Sequence, residues 1–254
     1  MKRRDLLAAA GIAPAAALAQ SASAPTRKVL RAAFVTNEVG YDPVQISDNS
    51  SLIVCDLIFE SPLTFDPLAS PPRLMPQTAV ALPEVSVDFR HFVFTIRPGI
   101  FFADDPVFKG QRRELAAADY VYAIKRFYDP AVKTERLYLF ENAKLLGLSE
   151  LRKKVLAART PFPYDVEVDG LRTQGRYRFE VRLAEPSPRF ADNFAAPQNV
   201  PGMAREAVEA YAADLMAHPV GTGPYRLLQW RRSSRTVLER NPNYREVRFD
   251  AIAP

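Results

Sequence analysis

Residues 218–230 read His218-Pro219-Val220-Gly221-Thr222-Gly223-Pro224-Tyr225-Arg226-Leu227-Leu228-Gln229-Trp230, and this stretch carries the clearest structural signal of the chain. Its two glycines and two prolines lie around a threonine. They exclude a helix interior, because glycine adopts backbone angles that other residues avoid and proline fixes φ and removes a hydrogen-bond donor. Residues 225–230 are typical of a strand, and residues 236–238 of a returning strand after a turn at 231–234. The residues alone therefore predict a loop followed by a β-hairpin.

A second motif follows the hairpin and completes a resemblance. It reads Glu239-Arg240-Asn241-Pro242-Asn243-Tyr244, with a turn at its Asn-Pro-Asn centre. The Gly-Thr-Gly-Pro-Tyr loop, a strand that ends in tryptophan and this second motif, in that order, resemble the dipeptide/oligopeptide class of extracellular solute-binding proteins. These proteins are the periplasmic receptors of ABC importers. The resemblance implies an α/β fold, namely the mixed-sheet lobe of a two-lobed periplasmic binding protein of type II-like architecture.

Further motifs extend the resemblance over most of residues 29–254. Tyr41-Asp42-Pro43 is similar to a Leu-Asp-Pro motif of the family, with Tyr in place of Leu. Residues 88–99 resemble the family hairpin D-G-x-x-(Y/W)-x-F-x-L-R-x-G, although the turn glycine is absent. Residues 117–126 resemble the start of a family helix, and residues 203–209 are similar to its P-K-E-A-V-E motif.

Hydrophobic periodicity and turn residues predict the remaining elements. In chain order these are a strand over 29–35, a helix from a cap among residues 48–50 to residue 58, a hairpin over 85–97, a helix over 117–126, a helix that opens at Leu148 with Ser149 as its cap, a strand over 177–183 and a helix over 204–216. Tyr120, Ile124 and Phe127 recur at helical spacing, which is more typical of core packing than of a ligand platform.

The first residues indicate export. A basic start at 2–4, an apolar run at 6–18 and the A-x-A site at 17–19 are typical of a signal peptide cleaved before Gln20. Arg3-Arg4 followed by Asp-Leu-Leu also resembles a twin-arginine signal, and both export routes stay open. The expected domains are a signal peptide at 1–19, a flexible mature N-terminus at 20–28 and an incomplete N-terminal lobe at 29–254.

Composition excludes two classes of protein. The 34 basic and 29 acidic residues give a net charge of +5. Three basic and one acidic residue precede position 20, so the mature chain has an excess of only +3, too small to suggest nucleic-acid binding. Cys55 is the only cysteine, so the chain has no internal disulfide. Its apolar neighbours predict a buried thiol.

No catalytic or metal motif is present. The chain has two histidines, His91 and His218, and none of the sequence patterns G-x-S-x-G, H-E-x-x-H, G-x-x-x-x-G-K-[ST] or G-x-G-x-x-G. Two histidines with one buried cysteine do not make a zinc site, and the Asp104-Asp105 pair is typical of a turn. The sequence thus predicts a binding protein without catalytic residues, metal or cofactor.

The resemblance also implies a ligand site. In peptide-binding relatives the ligand backbone pairs with the stretch after the first strand, which here is Thr36, Asn37, Glu38 and Val39. Glu38 is interpreted either as a partner for a ligand amine or as a solvated turn carboxylate. The loop of Gly221, Thr222 and Gly223 lies near the cleft in the family. Its glycines are equally explained by backbone geometry.

Three functions follow from the resemblance. The first is capture of a peptide or another small solute by a monomer that delivers it to the membrane subunits of an ABC importer. Nickel, haem and sugars are ligands elsewhere in the wider family. Because relatives are longer and have a second lobe that this sequence lacks, the second is a truncated fragment that binds no ligand. The third is a lone lobe that contacts a membrane partner.

Overall fold

The structure is a computed structural model that describes residues 28–247. The predicted signal peptide, its cleavage site and residues 248–254 lie outside the described residues. Backbone packing separates residues up to Ala33 from the unit that begins at Phe34, and the folded elements all belong to this second unit.

Helices and antiparallel strands build the second unit. The helices are α1 (Asn49–Ile58), α2 (Ala117–Tyr128), α3 (Tyr138–Ala143), α4 (Leu148–Ala158) and α5 (Arg205–Ala210), with short 3-10 helices at Pro106–Phe108, Phe190–Ala195 and Leu215–Ala217. The strands are β1 (Leu63–Phe65), β2 (Leu74–Pro76), β3 (Glu84–Val85), β4 (His91–Thr95), β5 (Leu171–Gln174), β6 (Arg178–Arg182), β7 (Tyr225–Arg231) and β8 (Arg235–Arg240). Within residues 28–247, no helix has both the length and the apolar character needed to cross a membrane.

The strands form three sheets. These are β1-β2, the four-stranded sheet β3-β4-β6-β5 and the hairpin β7-β8. Every one of these pairings is antiparallel, so no parallel pair contributes to the sheets of the described chain. Helices combined with sheets agree with the predicted α/β class.

The core lies between the four-stranded sheet and α2. Phe94 of β4 stacks on Phe179 of β6, with ring centroids 4.9 Å apart, and Tyr120 of α2 lies 5.9 Å from Phe179. Tyr120, Ile124 and Phe127 are fully buried. The prediction that this stripe serves core packing is therefore confirmed, as is the burial of Cys55.

Three predicted elements differ in the structure. Residues 29–35 form no strand and are exposed, because within the described residues no neighbouring strand offers them a hydrogen-bonding ladder. Ser149 does not cap α4, since Gly147 occupies the N-cap position with φ +83°. The helix expected over 204–216 ends at Ala210, where the chain turns and Asp214 N–H donates to the Tyr211 carbonyl at 2.8 Å.

The β3-β4 hairpin forms without the turn glycine of its relatives. Phe89 takes the left-handed conformation instead, with φ +53°. The hydroxyl of Ser86 donates to Asp88 at 2.6 Å and accepts the main-chain N–H of His91 at 2.9 Å, so local side chains hold the turn. A non-glycine residue in this conformation costs about 1–2 kcal/mol.

Replacing Phe89 therefore tests the turn. Phe89→Gly removes the conformational cost but also loses the partial burial of Phe89, which is 42% exposed. Because Phe89→Ala loses the same side chain, we expect the free energy of unfolding of the glycine variant to exceed that of the alanine variant by roughly 0.5–1 kcal/mol, after the entropy of glycine in the unfolded chain is deducted. Thermal melts of Phe89→Gly and of the control Phe89→Ala, which keeps the strain, measure the difference. A glycine variant no more stable than the alanine variant contradicts the assignment.

Candidate ligand-binding site

The segment 36–41 is held from one side by the first turn of α1. Asp48 caps this helix as predicted, accepting from Ser51 N–H at 2.8 Å. The hydroxyl of Ser50 donates to the carbonyl of Thr36 at 2.7 Å, and Val39 N–H donates to the hydroxyl of Ser51 at 3.0 Å. Two neighbouring serines of α1 thus fix the main chain of the predicted ligand stretch.

The β7-β8 hairpin holds the same segment from another side. Glu38 Oε1 accepts the indole N–H of Trp230 and the main-chain N–H of Ser233, both at 2.8 Å. The rings of Tyr41 and Trp230 lie 5.2 Å apart, and the Tyr41 hydroxyl is 2.5 Å from the hydroxyl of Thr236. The hairpin therefore closes onto the segment through side chains of β7, the turn and β8.

Glu38 is a buried carboxylate. Its exposed fraction is 6%. Burial favours a raised pKa, but the hydrogen bonds from Trp230 and Ser233 and the charge of Arg232 outweigh it, so the pKa of Glu38 is lowered. The interpretation of Glu38 as a solvated turn carboxylate is wrong, because that interpretation needs a side chain open to water. Contact with a ligand amine stays a prediction.

The main chain beside Glu38 keeps unused hydrogen-bonding groups. Thr36, Asn37 and Val39 are exposed. Within residues 28–247, nothing hydrogen-bonds to the N–H or carbonyl of Asn37 or to the carbonyl of Val39. Because exposed backbone groups of this kind can pair with an extended peptide, the segment can accept a strand of another molecule.

A buried ion pair anchors the end of the segment. Arg126 of α2 donates to both carboxylate oxygens of Asp42, at 2.9 and 2.8 Å. The two side chains are 3% and 0% exposed. Burial by itself favours a lower pKa of Arg126, and Asp42 more than reverses this effect. The arrangement ties the Tyr-Asp-Pro motif directly to the core helix.

The loop of Gly221, Thr222 and Gly223 is buried against the other end of α1. Gly223 N–H donates to the Ile58 carbonyl at 2.8 Å. A Cβ atom on Gly221 lies 2.0 Å from the Ile58 carbonyl oxygen, and one on Gly223 lies 2.6 Å from that of Leu57. Both glycines are thus required by the close approach of two main chains.

Thr222 shares this buried position. It is 1% exposed, and its hydroxyl has no hydrogen-bond partner within the described residues. The two halves of the predicted site contact opposite ends of α1, whose ten residues span about 15 Å. The structure does not bring them together, and a ligand contact of residues 221–223 stays a prediction.

A cavity of about 220 Å³ lies beside the glycine loop. It is lined by Ala103, Asp104, Asp105, Pro219, Val220, Arg226, Leu227, Leu228 and Glu239. Asp105 is extended rather than in the predicted turn, and it caps the first 3-10 helix by accepting from Val107 N–H at 2.9 Å. Arg226 and Glu239 form an ion pair at 2.7 Å across the hairpin. Residues 36–39 line neither this cavity nor a smaller one of about 10 Å³ next to Tyr41.

Sequence reasoning missed the partners of Glu38. Trp230 was expected only as the end of a strand, and Ser233 only as part of a turn. A tryptophan that closes a strand of a two-stranded hairpin is a usable signal, because its indole N–H seeks an acceptor when buried. No group of three or more potential metal ligands occurs among residues 28–247.

Comparison with known proteins identifies the family. The model described as bacterial extracellular solute-binding proteins, family 5 Middle, matches residues 73–253. The chain belongs to this family. The resemblance inferred from the Gly-Thr-Gly-Pro-Tyr loop and the Asn-Pro-Asn turn is thereby confirmed.

Curated relatives match over part of their length. The chain is 27% identical over 172 residues to the periplasmic oligopeptide-binding protein OppA of Salmonella typhimurium, covering 66% of this chain and 28% of the relative. It is 25% identical over 186 residues to the peptide transport periplasmic protein SapA of Haemophilus influenzae, covering 66% and 32%. The chain therefore spans about a third or less of the curated relatives it matches.

Solved structures share the fold. Haemophilus influenzae OppA in complex with RPPGFSPFR gives a TM-score of 0.65 at 22% identity, covering 81% of this chain and 36% of the other. The periplasmic binding protein DppA of Helicobacter pylori in complex with peptide STSA gives 0.63 at 17% identity, covering 80% and 37%. These similarities confirm the expected fold, a lobe of a periplasmic binding protein.

The close approach at Gly221 can be tested by substitution. Gly221→Ala places a methyl group against the Ile58 carbonyl, and we expect a loss of about 3 kcal/mol or more in the free energy of unfolding. Gly99→Ala is the control, since a Cβ there meets nothing within 4 Å and only its φ of +81° is unfavourable. Denaturant unfolding of both variants is the measurement. Equal losses contradict the packing of the loop on α1.

The Glu38 carboxylate gives a pH-dependent prediction. Because its pKa is lowered in the folded state, its stabilising contribution is present above the unfolded value of 4.5 and is lost as pH falls through the folded value. We expect Glu38→Gln to lower the free energy of unfolding at pH 7 by about 1.5–3 kcal/mol, and this difference to shrink below pH 4.5. Chemical unfolding at several pH values measures it.

Exposed Glu135 provides the control for this experiment. The free energy of unfolding of Glu135→Gln should equal that of the parent protein at each pH. A Glu38→Gln deficit that is the same at acidic and neutral pH contradicts the stabilisation of a charged carboxylate by Trp230 and Ser233.

Proposed function

We propose that this protein captures short peptides in the periplasm as the binding component of an ABC importer. In this proposal it acts as a monomer and passes its ligand to the membrane subunits of the importer. Family membership supports a solute-binding role, and relatives named as oligopeptide-binding and peptide transport proteins support peptides as the solute. Solute-binding relatives also favour binding over catalysis.

Export is part of the proposal. The basic start, apolar run and A-x-A site of residues 1–19 support a signal peptide, with Arg3-Arg4 keeping the twin-arginine route open beside the general one. The curated relatives OppA and SapA carry the word periplasmic in their names.

One observation carries the ligand assignment. The main chain at Asn37 and Val39 is exposed and has hydrogen-bonding groups without partners in the described chain. Its neighbours Thr36 and Glu38 are fixed by Ser50 and Trp230. Exposed main-chain groups that are held in place and unpaired bind an extended peptide with little loss of their own freedom. We therefore propose that the peptide backbone pairs with residues 36–39. Residues 221–223 support the site by packing on α1.

The single tryptophan makes this assignment testable. Trp230 is the only tryptophan of the chain and contacts Glu38 and Tyr41, so its fluorescence reports on the segment. We expect saturable changes when the full chain is titrated with short alanine peptides. Peptides methylated on backbone nitrogens should bind about five-fold more weakly for each hydrogen bond lost.

Calorimetry on the parent protein provides an independent readout. Heat of binding without a fluorescence change in the parent protein places the ligand away from residues 36–39. Equal affinity for methylated and unmethylated peptides contradicts strand addition. If neither method detects any peptide, the receptor assignment fails and the alternative of a non-binding chain stands.

A further inference from the structure

The tip of the β7-β8 hairpin carries a cluster of arginines. Arg231, Arg232 and Arg235, here named the arginine tip, are all exposed. Within residues 28–247, no carboxylate lies within 4.0 Å of their guanidinium nitrogens. Arg226 on the same hairpin is different, because it pairs with Glu239 at 2.7 Å. The hairpin is thus neutralised near its base and positively charged at its turn.

The arginine tip does not serve the hairpin itself. Arg231 and Arg235 are direct cross-strand partners, and like charges placed directly opposite destabilise an antiparallel pair. The turn between them is held by its own main chain, with Ser234 N–H donating to the Arg231 carbonyl at 3.0 Å. Cross-strand pairing therefore does not explain Arg231 and Arg235, whereas the charge of Arg232 also acts on the buried Glu38 carboxylate.

The arginine tip adjoins the segment assigned to the ligand backbone. Ser233, which lies between Arg232 and Arg235, donates its main-chain N–H to Glu38 at 2.8 Å. Glu38 is buried, and its Oε1 already accepts the Trp230 indole as well. Glu38 is thus enclosed, while the turn that contacts it carries three exposed arginines, so this turn brings a net positive charge to the side of residues 36–39.

We propose that this site prefers peptides with acidic side chains. The inference rests on the proposed function and adds the class of ligand. With the peptide backbone on residues 36–39, a neighbouring Asp or Glu side chain of the peptide reaches the arginine tip. Guanidinium groups pair with carboxylates in a planar, bidentate geometry, and a local positive field raises the rate at which acidic peptides arrive.

Matched peptides test the preference. The full chain is titrated by calorimetry with Ala-Glu-Ala and with Ala-Gln-Ala, which differ in charge and hardly in shape. We expect the Kd for the Glu peptide to be about five-fold lower in 0.1 M salt. In 1 M salt, where the screening length falls to about 3 Å, the preference should largely disappear.

Variants locate the preference on the tip. The triple variant Arg231→Gln, Arg232→Gln, Arg235→Gln should bind both peptides with the affinity of the parent protein for Ala-Gln-Ala. Arg240→Gln is the matched control, because Arg240 is exposed at the far end of β8 and pairs with Tyr225 in the ladder. It should keep the full preference. The single variant Arg232→Gln repeats the test with one change should the triple variant unfold.

The outcomes separate this inference from the proposed function. If both peptides bind with equal affinity, the acidic preference is overturned and the receptor assignment stands. If neither peptide binds, the receptor assignment fails and this inference fails with it. Tip-dependent binding to phosphatidylglycerol vesicles, without any charge preference among peptides, overturns the inference and reassigns the tip to a membrane surface.

Discussion

The candidate site depends on one buried ion pair. Arg126 lies on α2 in the middle of the aromatic core, and Asp42 lies at the end of the segment that carries Thr36 to Val39. Each charge is removed from water, so each is tolerated only because the other neutralises it in a bidentate arrangement. Loss of one partner leaves an unpaired buried charge, which costs about 3–5 kcal/mol. The ion pair therefore anchors one end of the segment, and hydrogen bonds from α1 and the β7-β8 hairpin hold the rest.

The segment anchored by this ion pair and the β7-β8 hairpin stabilise each other. Trp230 and Thr236 contact Tyr41, while Trp230 and Ser233 enclose Glu38. Within the described residues β7 and β8 pair only with each other, and an isolated two-stranded hairpin is marginally stable in water. The contacts with residues 38–41, together with packing of its inner side chains on the core, give the hairpin its orientation.

The distribution of charge indicates the partners of this protein better than its net charge does. An excess of a few positive charges over the whole chain says little about partners, because many arginines of the described chain pair with a carboxylate across a strand, a turn or a helix. Arg231, Arg232 and Arg235 form no ion pair within 4.0 Å in the described chain and flank Ser233, whose main-chain N–H donates to Glu38. A site that binds a peptide backbone through main-chain groups gains little side-chain selectivity from them. In the proposed site, the fixed charges of the arginine tip supply this selectivity.

Elements with local signals were predictable from the amino-acid sequence. Residues a few positions apart predicted a cap among residues 48–50, the apolar stripe of α2, the strands β4 and β6 and the turn of the β7-β8 hairpin. The sequence motifs were also sufficient to identify the family. Tertiary structure alone decided the burial of Glu38, whose indole partner is 192 residues away, and the separation of the two predicted ligand segments by α1. It also decided that residues 29–35 form no strand, since a strand requires a neighbour that no local pattern specifies.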